Sequence, residues 1–483
     1  MGMEENLISG FFDASACAAK TILEVVEEDG FIHVFSHLDA DGVAAAGIIG
    51  KMLFRLGAKF RVRVTQWVDE KIVSEILAER PQLVIFTDFG SGYIDLLNQK
   101  LADFKIIVLD HHQVTQRESS IVHVNPHLNG IDGARDISGA GVAYFVAKAV
   151  DKNNVDLAPI AIVGALGDLQ DKYDQKKLGG LNEKIVGDAL KNELIAVEKD
   201  IIFFGRETRP IHKSLAATTN PFIPDISGRE DKSVEFLTSL NIKLKDGEKW
   251  RTLRDLSEEE KKTLCSAIAD HLLSKGLHYE IRNLVGYVYT LKNEEPWTPL
   301  RDAREFAVLL NAVGRMDKPS LGVSICMGDR SSAFENAIKV LEKYRETISK
   351  YLGWIMEKPS ERIKELNNIY VVYGEDFIND KIIGAVSSIL STNLSKPEKP
   401  LIAYANVKNE NLAKFSARTV DIMVNRGVNL GEIMHAAAEK CMGNGGGHNI
   451  AAGAQVPMDR ADDFVKIVDD FVGRQLRGEK IGG

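Results

Sequence analysis

The first 170 residues alternate short apolar runs with longer segments whose apolar positions recur at helical spacing. The pattern predicts strands at residues 31–36, 60–65, 83–87 and 105–109, helices at 42–56, 69–79 and 157–169, and a further helix after Ser138. Such an alternation is typical of a mostly parallel sheet that helices cover on both faces.

The pattern changes twice in the remainder of the chain. Residues 206–228 are rich in Pro, Thr and Ser, which indicates an irregular crossing, and residues 229–365 are predominantly helical and charged. Residues 366–483 return to mixed strands and helices. We therefore predict an α/β protein with an N-terminal parallel-sheet domain (1–205), a helical insertion (206–365) and a C-terminal α/β domain (366–483).

The composition narrows the class of protein. Hydrophobic residues make up 45% of the 483 residues and charged residues 27%, which is ordinary for a globular protein. No apolar run reaches the roughly 18 residues of a membrane span, and the N-terminal segment lacks the features of a signal peptide, so we expect a cytoplasmic protein without a membrane association. The net charge of −9 argues against a protein that coats duplex DNA through a broad basic face. It does not exclude a nuclease, because bound divalent cations would offset the charge of an acidic pocket.

Histidine and aspartate residues follow the predicted apolar segments of the N-terminal domain in four patches. In the first patch His37, Asp39 and Asp41 stand at every second position where a strand opens into a loop, and Gly42 leads into the next helix. The other three patches also end apolar segments: Asp88, Asp110-His111-His112 and Asp168.

The positions of these patches predict a metal site. Ligands bind beyond the carboxyl ends of the strands in an open parallel sheet, so the side chains are expected to share one crevice. Carboxylates within about 4–6 Å raise one another's pKa unless cations bind between them. His and Asp without Cys suit Mn²⁺, Mg²⁺ or Zn²⁺, and two such cations support in-line displacement at phosphorus. A single strand-end Asp is more often a cap, but four patches in order favour a two-metal centre.

The C-terminal domain carries a glycine-rich motif, Gly445-Gly446-Gly447-His448. Consecutive glycines let backbone N–H groups converge on an anion without obstruction by Cβ atoms. His448 and Arg418 are then expected to hold phosphate oxygens. Taken alone the motif favours a flexible loop between a helix and a strand, whereas beside the metal-ligand patches it favours phosphate binding.

At these residues the chain resembles the DHH phosphoesterase family. Residues 37–42 are similar to the family's HxDxDG motif, Asp110-His111-His112 to the motif that names it, and Asp88 and Asp168 to its other aspartates. Residues 137–143 (ISGAGVA) resemble a helix start of the RecJ branch.

The C-terminal domain resembles the substrate-binding domain that accompanies the DHH domain. Residues 445–448 are similar to its GGGH motif, and Ser416 and Arg418 to its Ser-x-Arg strand. The resemblance covers residues 30–205 and 366–475 and leaves the stretch between them unexplained.

The resemblance implies an archaeal RecJ-like exonuclease that degrades single-stranded DNA or RNA to mononucleotides in DNA replication or repair. It implies two divalent cations, Mn²⁺ foremost or else Mg²⁺, one held by His37, Asp39 and Asp88 and the other by Asp41, Asp88, His111 and Asp168. Asp110 and His112 would orient ligands or transfer protons. Similarity to a GINS-associated nuclease implies that residues 206–365 dock GINS or another replication protein.

Two alternatives stay open on the sequence. One is a DHH phosphodiesterase for short oligonucleotides or cyclic dinucleotides, although such chains are usually shorter and lack a long helical insertion. The other is a replication scaffold that binds GINS and has lost catalysis, against which the intact motifs argue.

Overall fold

The computed structural model describes residues 2–114, 121–218, 221–393, 398–408 and 410–481, and the chain divides into two units, residues 1–341 and 342–483. The strands of the first unit are β1 (Phe31–His37), β2 (Lys59–Thr65), β3 (Leu83–Thr87), β4 (Ile106–Leu109), β5 (Val122–Val124), β6 (Ile195–Ile201), β7 (Lys245–Asp246), β8 (Lys249–Trp250) and β9 (Val285–Leu291). Its helices are α1 (Gly2–Glu27), α2 (Ala40–Arg55), α3 (Glu70–Glu79), α4 (Ile94–Lys100), α5 (Gly139–Val150), α6 (Ala158–Gly167), α7 (Gly180–Lys191), α8 (Ile211–Ala216), α9 (Glu230–Ser239), α10 (Glu258–Ser274), α11 (Ala303–Arg315) and α12 (Pro319–Cys326), and α13 (Ser332–Glu357) runs across the boundary.

The main sheet of the first unit is parallel, as predicted. Its strand order is β2-β1-β3-β4-β5. Ser36 of β1 is in register with Thr87 of β3, and Thr87 with Leu109 of β4, so these strands end at the same edge. All five residues of β3 are buried, which agrees with its continuous apolar sequence. The edge where the strands end therefore receives the residues that follow each of them.

Side-chain caps fix the starts of the helices around this sheet. Asp39 accepts a hydrogen bond from the backbone N–H of Gly42 at the start of α2, and Ser138 accepts one from Gly141 at the start of α5. Such caps satisfy N–H groups that have no partner within the helix. The predicted helix after Ser138 is confirmed, and its first residue is Gly139.

The region predicted as a helical insertion contains more than helices. Strand β9 pairs antiparallel with β6, a pairing that the sequence pattern did not predict. Residues 206–228, predicted as an irregular crossing, include the short helix α8, whose Ile211 and Leu215 belong to a local apolar core. Residues 219 and 220 of that stretch lie outside the described residues.

Helices α11 and α12 belong to the body of the first unit. Gly314 of α11 lies against the carbonyl oxygen of Leu38, and Gly47 of α2 lies against the side chain of Cys326 in α12. A Cβ atom at either glycine would overlap its neighbour. This close packing means that the C-terminal part of the insertion helps to hold α2, the helix that follows the first ligand patch.

The second unit has a six-stranded mixed sheet. Its order is β10-β11-β12-β13-β15-β14, with β11 and β12 parallel and the other pairs antiparallel. The strands are β10 (Ile363–Glu365), β11 (Tyr370–Glu375), β12 (Leu401–Asn406), β13 (Leu412–Arg418), β14 (Asn444–Gly447) and β15 (Ala451–Pro457), and the helices are α14 (Pro359–Arg362), α15 (Ile383–Asn393), α16 (Asp421–Asn425), α17 (Leu430–Lys440) and α18 (Ala461–Leu476). Within the described part of the chain, no helix has the length and apolarity to cross a membrane.

Candidate metal centre

The first ligand patch joins the end of β1 to the start of α2. His37 is the last residue of β1, and Asp39 is the N-cap of α2, with its Oδ1 accepting a hydrogen bond of 3.0 Å from Gly42 N. The other oxygen of Asp39, Oδ2, lies 3.0 Å from His37 Nδ1. Burial alone would lower the pKa of His37, but the carboxylate of Asp39 raises it to about 9. A Cβ atom at Gly42 would overlap the His37 carbonyl, so this tight turn requires glycine.

Asp88, directly after β3, lies at the centre of the site. Its side chain is 1% exposed, and within the described residues neither of its carboxylate oxygens has a hydrogen-bond partner. Oδ1 lies 3.2 Å from His111 Nε2, and Oδ2 lies 3.6 Å from His37 Nδ1. Burial, and then the charge of Asp41, raises the pKa of Asp88 well above its ordinary value. A nearby cation would reverse this shift, because it favours the ionised carboxylate.

Asp41 is held by the start of α5. Its Oδ2 accepts a hydrogen bond of 2.6 Å from Gly139 N, and its Oδ1 accepts one of 3.0 Å from Ala140 N. A Cβ atom at Gly139 would stand 2.5 Å from Asp88 Oδ1. The ISGAGVA stretch therefore has a structural role at the site: its N–H groups hold Asp41, and its glycine makes room for Asp88.

The ring orientation of His111 is fixed by a backbone carbonyl. Its Nδ1 lies 2.7 Å from the oxygen of Gly133, which can only accept, so Nδ1 carries the proton. Nε2 then faces three carboxylates, with Asp41 Oδ2 at 3.7 Å, Asp88 Oδ1 at 3.2 Å and Asp168 Oδ2 at 3.9 Å. Although burial opposes it, the charges of Asp168 and Asp41 raise the pKa of His111, and a cation bound at Nε2 would take the place of that proton. This arrangement is typical of a metal-binding histidine.

Asp110 and His112 form a pair beside the cluster. Asp110 Oδ1 accepts a hydrogen bond of 2.7 Å from His112 Nδ1, and its Oδ2 accepts one of 2.9 Å from the backbone N–H of Ser91. Although burial opposes ionisation, His112 and these N–H donors hold the pKa of Asp110 well below its usual range. Asp110 is thus a charged residue that orients His112, whose side chain is 42% exposed.

The predicted ligands come together as groups that could hold a cation. In each group the potential ligand atoms lie within 4.8 Å of one another: His37, Asp39 and Asp88; Asp41, His111 and Asp168; and Asp88, His111 and His112. The unpartnered oxygens of Asp88 and the His and Asp donor set fit a hard or borderline divalent cation. The assignment of these residues between two cations stays a prediction.

In another group, His33, Glu75 and Glu79, the potential ligand atoms also lie within 4.8 Å of one another. Arg61 pairs with Glu79 and Arg63 pairs with Glu75. Because these arginines already balance the carboxylate charges, we infer no metal site there.

The predicted substrate residues of the second unit lie on neighbouring strands. Ser416 of β13 is in register with Gly453 of β15, which in turn faces Gly446 of β14. A Cβ atom at Gly446 would meet no atom of the described residues within 4 Å, whereas Gly447 has a φ of +137° that favours glycine. The glycine-rich stretch through Gly447 is therefore a paired edge strand and not the loop expected from the motif alone. His448, which follows it, donates its backbone N–H to Ala451 O at 2.8 Å.

Arg418 is held in place at the end of β13. Its Nε donates a hydrogen bond of 2.8 Å to Ser388 Oγ on α15, and one terminal nitrogen donates at 2.8 Å to Ala417 O. Ser416 Oγ lies 2.9 Å from Ser387 Oγ on the same helix. Sequence reasoning did not identify Ser387 and Ser388, because an apolar-patterned helix with two serines carries no motif.

Comparisons with known proteins agree with this architecture. The sequence matches the DHH family N-terminal domain over residues 31–166, the DHH-CID domain over residues 203–285 and the DHHA1 domain over residues 367–474. An uncharacterized protein of Methanocaldococcus jannaschii is 34% identical over 461 residues, covering 94% of this chain and 96% of that protein. The chain belongs to the DHH family.

Within the DHH family, RecJ proteins share the fold of this chain. The single-stranded-DNA-specific exonuclease RecJ of Bacillus subtilis is 21% identical over 474 residues, 96% of this chain and 48% of RecJ. RecJ of Thermus thermophilus, solved in complex with Mn²⁺, has a TM-score of 0.58 at 17% identity, covering 95% of this chain and 55% of that one. CDC45 from Entamoeba histolytica has a TM-score of 0.62 at 12% identity, covering 95% and 99%. The chain spans about half the length of these RecJ proteins.

Proposed function

We propose that this chain is a metal-dependent exonuclease that hydrolyses phosphodiester bonds of single-stranded DNA, RNA or both to mononucleotides. The observation that carries the proposal is Asp88, a buried carboxylate without a hydrogen bond within the described residues, with His37 Nδ1 3.6 Å from one oxygen and His111 Nε2 3.2 Å from the other. Burying a carboxylate in this way is costly unless a cation pairs with it. The RecJ relatives support a nucleic-acid substrate.

Two cations would use the ligands on either side of Asp88. His37 and Asp39 would hold one, and Asp41, His111 and Asp168 the other, with Asp88 shared. Mn²⁺ suits this set of donors, as does Mg²⁺. When bound, such a pair lowers the pKa of water and neutralises charge that develops on phosphate oxygens.

The side chains around the ligands prepare the site for this chemistry. The backbone N–H groups of Gly139 and Ala140 fix both oxygens of Asp41, so its orientation is set before any ligand arrives. Asp110 accepts the Nδ1 proton of His112, which leaves Nε2 as the ring nitrogen that exchanges a proton with an attacking or leaving oxygen.

The second unit would contribute phosphate binding. Arg418, fixed by Ser388 and the backbone, presents a planar guanidinium group that matches phosphate oxygens. Gly453 and Gly446 are in register with Ser416 on the neighbouring strands and have no side chains, so an extended sugar-phosphate backbone can approach the strands there. We include His448 in this surface because it follows the last glycine.

A comparison of substrate lengths tests the proposal against its nearest alternative. Long single-stranded DNA and RNA oligomers, a dinucleotide and a cyclic dinucleotide would be incubated with the full chain and Mn²⁺. The proposed exonuclease produces a ladder of shortened oligomers and mononucleotides. Cleavage confined to the dinucleotide or the cyclic dinucleotide would replace the proposal with the phosphodiesterase alternative. A lack of any cleavage, with Mn²⁺ bound, would favour the scaffold.

A further inference from the structure

Gln170, two residues after Asp168, connects several parts of the metal centre. Its side chain is fully buried. The amide nitrogen Nε2 lies 2.8 Å from Gly133 O, 3.0 Å from Asp168 Oδ2 and 3.1 Å from Ile137 O. The amide oxygen Oε1 accepts a hydrogen bond of 2.7 Å from Asn182 Nδ2 on α7.

The chemistry of these neighbours fixes which end of the amide is which. The three oxygen atoms around Nε2 belong to two carbonyls and a carboxylate, all of which accept hydrogen bonds. An amide nitrogen has two N–H groups to share among them, while an amide oxygen in the same place would face these three acceptors. The nearby donor, His111 Nδ1 at 3.5 Å, already donates to Gly133 O. The arrangement therefore selects glutamine in this orientation, and a buried amide with its hydrogen bonds made is rigid.

Two of these contacts lead directly to predicted ligands. One is the hydrogen bond to the carboxylate of Asp168. The other is the carbonyl of Gly133, which accepts from Gln170 Nε2 and also from Nδ1 of His111. Gln170 thus donates a hydrogen bond to Asp168. It also contacts the Gly133 carbonyl that sets the tautomer of His111.

We propose that Gln170 is a positioning residue that holds Asp168 and His111 for cation binding, with Asn182 fixing Gln170 in turn. This inference rests on the proposed metal centre and names residues that support its ligands. The need for such support is greatest at Asp168, because it lies at the C-terminal end of α6, its side chain is 23% exposed, and the next residue, Leu169, has a φ of +54°. A carboxylate there can rotate unless a neighbour restrains it.

The test is Mn²⁺ binding by the full-length chain, measured from the electron paramagnetic resonance signal of free Mn²⁺. Gln170→Met keeps the length and volume of the side chain but removes its hydrogen bonds. Loss of an outer-shell partner is expected to weaken the affected Mn²⁺ site about 10–100-fold. Asn182→Ala removes the next link and should weaken the same site by a smaller factor. Excess Mn²⁺ should restore the nuclease activity of both variants to that of the wild type.

Asn154→Leu is the matched control. Asn154 is a buried amide that donates to Ala147 O at 2.9 Å and accepts from Arg55 at 2.8 Å, so its loss should lower the melting temperature without changing Mn²⁺ affinity. If Gln170→Met and Asn182→Ala bind Mn²⁺ as the wild type does and only melt earlier, Gln170 is merely structural and the inference is wrong. Failure of the proposed function would look different: the wild type itself would not bind Mn²⁺, or would bind it without cleaving any oligomer.

Discussion

Two residues at the candidate metal centre hold backbone conformations that most side chains avoid. Asp88 has a φ of +60° and Leu169 a φ of +54°. Aspartate tolerates this region better than most residues, but a leucine there is strained. Leu169 is also 70% exposed, so no burial offsets its strain. Strain of this kind persists where surrounding structure fixes the chain, and here it directs Asp168 and buries Gln170.

His33 in β1 provides a prediction about pH and stability. Burial lowers its pKa to about 4, and the charge of Arg61 adds to this effect although Glu79 opposes it. As the pH falls from about 6.5 to about 4, the unfolded chain therefore takes up a proton before the folded chain does. Neutral His33 contributes up to roughly 3 kcal/mol to the free energy of unfolding. This contribution is fully present above about pH 6.5 and is lost as the pH falls towards about 4.

Urea unfolding of the wild type and His33→Gln between pH 7 and pH 4 measures this contribution. The free energy of unfolding of the wild type should fall more steeply over this range than that of the variant. Parallel curves would mean that His33 takes up its proton at the same pH in the folded and the unfolded chain.

At the scale of elements, the start of α5 supports a sharper mutational prediction. Gly139→Ala places a methyl group 2.5 Å from Asp88 Oδ1 and should displace that carboxylate. We expect Mn²⁺ affinity to fall by about tenfold or more, since a shared ligand is moved. Gly187→Ala on α7 is the control, because a Cβ atom there meets nothing within 4 Å in the described part of the chain. That change should stabilise the helix by about 0.5–1 kcal/mol and leave Mn²⁺ binding unchanged. Equal Mn²⁺ affinity in both variants would contradict the assigned role of α5.

The glycine-rich strand β14 permits a second paired test. The added methyl group of Gly446→Ala meets no atom within 4 Å among the residues that the structure describes, and the backbone there has no unfavourable φ, so the fold should tolerate the change. If phosphates approach this strand, the added methyl group should raise KM for long oligomers severalfold. Gly447→Ala, at a φ of +137° and in contact with Ala452, should instead lower the melting temperature. Unchanged KM in Gly446→Ala would favour a purely structural role for the glycines.

The elements differ in how far the sequence predicted them. The pattern predicted β1 and β3 well, because each is an apolar run followed by a polar ligand. Strand β9 was missed, since Val285–Leu291 stands within a charged helical region and its partner β6 is distant in the sequence. The candidate metal ligands were proposed from their order along the chain, whereas Gln170 and Asn182 were not identified, because their hydrogen bonds depend on which atoms face each other after folding.

At the scale of the whole molecule, the insertion has two structural roles. Its α11 and α12 pack closely on the first unit's body, so removal of residues 206–365 would disrupt the support of α2. The segment around α8 and α10 has an apolar core of its own, which includes Leu215 and Leu264. Docking of GINS or another replication protein by residues 206–365 stays a prediction, and surface substitutions test it better than deletion does.

The most direct test of the metal-dependent exonuclease is the degradation of end-labelled single-stranded DNA and RNA by the wild type and Asp88→Asn over a range of Mn²⁺ concentrations. Asp88→Asn keeps the shape of the side chain and removes its charge. The account predicts a product ladder that requires Mn²⁺ in the wild type and a rate more than about 100-fold lower in the variant. In EDTA the variant should unfold no earlier than the wild type, because burial disfavours the ionised form of Asp88 and the amide carries no charge at that position. Equal degradation by both proteins, or no degradation by the wild type with any divalent cation, would contradict it.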